Sequence, residues 1–155
     1  MFISPSKGPM TLDAMVTDIV DYVRTERSAD YRLIIGTDSH TKKGTHMVTA
    51  VIIQRLGKGA RFFYRHTQHM CLNSLRQKLY YETAISLDVV HALKEKLHKN
   101  MLVGMRIEIH VDAGFVGASR EIIREIVGMV VATGLVAKVK PESFGASSVA
   151  DRYTK

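Results

Sequence analysis

Apolar residues recur at helical spacing between Thr11 and about Arg24, where Leu12, Met15, Val16, Ile19 and Val23 share one side and Thr11 stands where a cap belongs. The pattern predicts an amphipathic N-terminal helix. Residues 31–38 then predict a buried strand, and residues 45–56, rich in β-branched side chains, a second. Residues 60–66 predict a third. The links Lys42-Lys43-Gly44 and Gly57-Lys58-Gly59 are short, so these strands are expected to form an antiparallel meander.

Helical spacing returns at Ser74, which makes a capping-box pattern with Gln77, and it runs to about Asn100. At about 100° per residue, Leu72, Leu75, Leu79, Val90, Leu93 and Leu97 fall into one stripe, and Glu82 sits about 60° from its centre, bordering the buried face. Residues 105–112 alternate, with Ile107, Ile109 and Val111 on one side and Glu108, His110 and Asp112 on the other. A loop with Gly114 and Gly117 precedes a predicted helix over 119–133, closed by Gly134. Residues 135–139 predict a short strand ended by Pro141, and residues 149–153 a last turn of helix.

The predicted order α-β-β-β-α-β-α-β-α calls for an α/β fold. Three antiparallel strands followed by parallel strands make a mixed five-stranded sheet flanked by helices, with an extra helix at the N-terminus. A right-handed crossover through the long helix sets the strand at 105–112 beside and parallel to the strand at 31–38. Both end on an aspartate. Asp38 and Asp112 are thus expected side by side at the carboxyl ends of adjacent strands, where open α/β sheets place their ligands.

Length and charge narrow the chemistry. The 155 residues suit a single domain over 1–155. Lys and Arg number 22 against 15 Asp and Glu, for a formal charge of +7, and the pI is near 9.6, so a polyanion, nucleic acid first, is the expected partner. No run approaches the roughly 18 apolar residues of a membrane span, and no charged and apolar leader opens the chain. A soluble cytoplasmic protein is expected. The lone cysteine, Cys71, excludes an intrachain disulfide and a multi-cysteine zinc site; His66, His69 and Cys71 lack paired zinc spacing. The glycines of "GFVGAS" at 114–119 match neither a phosphate loop nor a dinucleotide fingerprint.

Six motifs carry a resemblance over nearly the whole chain: "SKGPMT" at 6–11, "LIIGTDSH" at 33–40, "YYETAIS" at 80–86, "IHVDAG" at 109–114, "EIVGMV" at 125–130 and "KPESFGASSVADRYT" at 140–154. Their order and spacing resemble the ribonuclease-H-like superfamily, and more closely the YkuK family of bacterial ribonuclease-H-like proteins. The resemblance implies two divalent ions, magnesium or manganese, held by Asp38, Glu82, Asp112 and Asp151, and hydrolysis of phosphodiester bonds in RNA, DNA or a hybrid. Asp38 would bridge both ions. Asp88 competes with Glu82 but points elsewhere on its helix. Ser39 and His40 are candidates for contact with substrate, or for structural roles, and so is His110, which can titrate near neutral pH.

The chemistry requires these residue types. Two unscreened carboxylates about 4 Å apart repel by roughly 4 kcal/mol at an effective dielectric of 20, so such a cluster must protonate, splay or bind cations. Hard divalent ions prefer oxygen ligands. The competing reading is a nucleic-acid-binding module that kept the fold without turnover. The actin-like sugar kinases share this topology, but they clamp ATP between two such domains, and 155 residues supply one.

Overall fold

The structure, a computed structural model, describes residues 1–40, 45–69, 72, 74–102, 104–115 and 117–143. The predicted turn at 42–44, Cys71, and the predicted last helix with Asp151 lie outside the described residues.

The chain opens on a hairpin that the apolar pattern does not reveal, β1 (Phe2–Ser4) and β2 (Gly8–Met10). Strands of three residues are too short for alternation to register. Next comes α1 (Leu12–Arg24), where the Thr11 Oγ1 accepts from the Ala14 N–H at 3.1 Å. The meander follows as β3 (Tyr31–His40), β4 (Thr45–Arg55) and β5 (Ala60–His69); β3 and β5 run past their predicted ends, and β4 stops one residue short of its own. The long helix α2 (Leu75–Lys99) leads to β6 (Arg106–His110), a 3-10 turn (Gly117–Ser119), α3 (Arg120–Ala132) and β7 (Val136–Lys138). None of the described helices is long and apolar enough to cross a membrane.

At the start of α2 the Ser74 Oγ accepts from the Gln77 N–H at 3.2 Å. This hydroxyl satisfies one of the four N–H groups that the first turn leaves without a partner. Ser74→Ala is therefore expected to cost about 1 kcal/mol and to lower the thermal midpoint by about 2–4 °C. An unchanged melting curve would mean that water replaces the cap.

The described strands form one mixed sheet in the order β2-β1-β5-β4-β3-β6-β7. The five predicted strands occupy its centre and one side. The hairpin adds two more, and Ile3 of β1 sits opposite Tyr64 of β5. As the crossover rule requires, β6 runs parallel to β3, with Ile34 opposite Glu108 and Gly36 opposite His110.

All three described α-helices lie on one face of the sheet. Met15 and Ile19 of α1, Leu79, Val90 and Leu93 of α2, and Ile123 and Ile126 of α3 are buried in one cluster with Leu33, Ile35, Val51, Ile53 and Phe63 of the strands. Each such side chain is worth about 1.5–3 kcal/mol of apolar burial. Ile34, Ala50 and Ile52 form a separate small cluster on the opposite face. Leu75 departs from the predicted stripe: it is 48% exposed in the first turn of α2, whereas Glu82 lies inside the buried face at 4%.

Candidate carboxylate site

The pairing of β3 with β4 is unbroken from Tyr31 to His40, so side chains alternate strictly between faces. Leu33, Ile35, Thr37 and Ser39 point to the helices. Thr37 Oγ1 lies 2.8 Å from Ser86 Oγ of α2, and the Ser39 Oγ donates to Glu82 Oε2 at 2.6 Å. Asp38 therefore leaves β3 on the same face as Ile34, away from α2. It is buried, and its Oδ1 accepts the Ser39 N–H at 2.9 Å.

On β6 the last pair with β3 is His110 with Gly36, and Asp112 and Asp38 each stand two residues further on. Asp112 does not end a strand as predicted, because β6 stops at His110. Single backbone bonds continue the ladder: Val111 N–H to the Lys138 carbonyl at 2.8 Å, and Lys140 N–H to the Ala113 carbonyl at 2.9 Å. Asp112 is half-buried, and its Oδ1 lies 3.1 Å from the Lys140 ammonium.

Glu82 feels all of this. Burial pushes its carboxyl up to about 8, and the charges of Asp38 and Asp112 act in the same direction, against the Ser39 hydrogen bond and the Lys78 charge. Without a further cation it holds a proton at neutral pH. The fold thus brings Asp38, Glu82 and Asp112 within electrostatic reach at one end of the sheet. It does not gather them further: among the described residues, no three His, Cys, Asp or Glu side chains stand close enough to hold a metal ion. Asp151 and the His40 side chain lie outside the described residues. Asp88 is exposed.

His110 is committed elsewhere. It is buried, and its Nε2 lies 2.9 Å from Glu108 Oε1. Burial pulls its pKa below the ordinary value, against the pull of Glu108 in the other direction. Glu108 itself, only 1% exposed, receives Arg32 Nη1 at 3.2 Å and Arg106 Nε at 2.7 Å. Burial alone would raise the Glu108 carboxyl, but the His110, Arg106 and Arg32 bonds hold it down at about 2. Arg32 also bonds the Gln54 amide. Neither the Arg32, Arg106, Glu108 and His110 cluster nor a site role for Lys140 follows from the motifs. The signal for the cluster was present, since Glu108 is a carboxylate in mid-strand whose cross-strand neighbourhood includes Arg32.

A family model described as ribonuclease H-like matches residues 14–155. The uncharacterized protein YkuK of Bacillus subtilis is 32% identical over 167 aligned positions, which cover 100% of this chain and 97% of that protein. No solved structure matches the chain.

Proposed function

The chain belongs to the ribonuclease H-like family, among the YkuK proteins, and from that premise we propose that it is a divalent-metal-dependent nuclease. It would hydrolyse phosphodiester bonds of RNA or DNA with two ions, Mg2+ or Mn2+, held by Asp38, Glu82, Asp112 and Asp151. The observation that carries this reading is Glu82, a carboxyl only 4% exposed on the inner side of α2 and within electrostatic reach of Asp38 and Asp112. Buried acids that repel one another are costly to a fold unless a cation compensates them.

The donors fit a hard divalent cation in kind, since each offers carboxylate oxygen. When bound, such ions activate water as the nucleophile and stabilise the leaving oxygen. The chain's own residues do the rest. The Ser39 hydroxyl fixes the orientation of Glu82, whose proton must leave before the carboxylate can serve as a ligand. The Ser39 N–H orients Asp38, and the formal charge of +7 favours the approach of a polyanion.

A binding module without turnover is the second reading, favoured by the alternation that turns Asp38 to the face away from Glu82. One experiment separates them. Purified protein is incubated with RNA, DNA and hybrids in Mn2+, and Asp38→Asn is expected to slow cleavage by about a hundredfold or more, or about 2.7 kcal/mol of transition-state stabilisation. Absence of cleavage, or cleavage that survives Asp38→Asn, overturns the nuclease. Salt-sensitive binding that ignores all four acids would establish the module instead.

A further inference from the structure

Lys140 sits where the site meets solvent, on a backbone that is tied down. Its N–H bonds the Ala113 carbonyl at 2.9 Å, and the flanking residues are held by Val111 N–H to Lys138 and Glu142 N–H to Val139, both at 2.8 Å. Gly114 packs closely against it: a Cβ there would lie 3.5 Å from Lys140 Cβ and 3.6 Å from the Lys140 carbonyl. The side chain is the reverse of the backbone. It is 61% exposed, and it extends an ammonium to Asp112 Oδ1 at 3.1 Å.

Such a pair is weak, about 0.2–1 kcal/mol when solvent reaches both partners, so it is readily given up. A divalent cation on Asp112 would compete for the same carboxylate and repel the ammonium. The anchored backbone keeps a displaced ammonium near the mouth of the site, and three rotatable N–H donors suit a phosphate oxygen.

We propose that Lys140 is a displaceable counter-cation: it holds Asp112 while no divalent ion is bound, and moves to a substrate phosphate when one is. This rests on the reading of the acids as a metal-dependent phosphodiesterase site.

The test titrates Mn2+ into the full-length wild type, Lys140→Gln, Lys140→Arg and Asp112→Asn, following free ion by electron paramagnetic resonance. With its competitor gone, Lys140→Gln is expected to bind Mn2+ about 1.5- to fivefold more tightly, the range such a pair is worth, while Lys140→Arg stays near the wild type. Stopped-flow anisotropy with a fluorescent single-stranded oligonucleotide in Mn2+, read in the first seconds, reports the second half. There Lys140→Gln is expected to lower the slope of log affinity against log salt by about 0.7, one phosphate contact. A role confined to holding the loop would move neither readout. If the wild type binds Mn2+ through Asp112 and Lys140→Gln leaves the affinity or the slope unchanged, the proposal for Lys140 falls alone. If the wild type binds no Mn2+, or Asp112→Asn binds it undiminished, the reading of the acid site falls and Lys140 with it.

Discussion

At pH 8 and without divalent cations, Glu82→Gln is expected to melt well above the wild-type protein. The folded chain holds the Glu82 proton up to about 8, while the unfolded chain releases it near 4.5. Between those values the folded state binds the extra proton, so stability is fully present below about 4.5 and is lost as pH rises through about 8. The full span corresponds to on the order of 4 kcal/mol, and glutamine, neutral at every pH, keeps the Ser39 bond without that loss. A gain of about 2–4 kcal/mol at pH 8 would raise the midpoint by about 4–16 °C, shrinking to nothing near pH 4. Added Mn2+ should narrow the gap, stabilising the wild type more than the variant, which lacks one of the four proposed ligands. Melting curves from pH 4 to pH 9 decide it: a difference that does not vary with pH would mean that Glu82 titrates alike in the folded and unfolded chain.

The second large effect lies on the opposite face. Glu108→Ala is expected to destabilise the protein by about 2–4 kcal/mol at pH 7, because it removes the acceptor of one buried imidazole and two guanidinium groups at once. Arg32 and Arg106 are partly exposed and can turn to water, so most of the loss should come from His110 and from the emptied volume. Urea unfolding measures it, and a loss below about 0.5 kcal/mol would show that solvent takes over all three partners. The sign of its pH dependence is opposite to that of Glu82. A carboxyl held at about 2 stabilises the fold above the ordinary carboxylate range and gives that up as pH falls toward 2.

The strands and long helix were legible because they are long. Eleven residues of β4 and twenty-five of α2 give periodicity room to declare itself, and Ser74 marked the start of α2. The parallel pairing of β3 with β6 followed from a handedness rule rather than from any single residue. The β1 and β2 hairpin, at three residues a strand, offered no period to read. At the site, element order put Asp38 and Asp112 at one end of the sheet, while Glu82 joined them only through the resemblance to the ribonuclease-H-like family. Which face each acid leaves from depends on the register of β3 at its very end, and the Ser39 bond to Glu82 settles that for Asp38. Lys140 was hidden for a different reason: its partner lies across a ladder that runs on after both strands have formally ended.

The two outermost strands have a bearing on how the protein survives at high concentration. Open sheets grow by adding a foreign strand to an exposed edge, and the ten residues of β5 would make an inviting one. The hairpin pairs with that flank where Ile3 faces Tyr64 and ends the described sheet in β2, three residues long with Pro9 at its middle, while β7 on the far side is equally brief. A proline has no N–H to lend, and three residues give a fibril little to template. The small hairpin that contributes nothing to the acids thus leaves a short, proline-bearing strand as the last described strand on that side of the sheet.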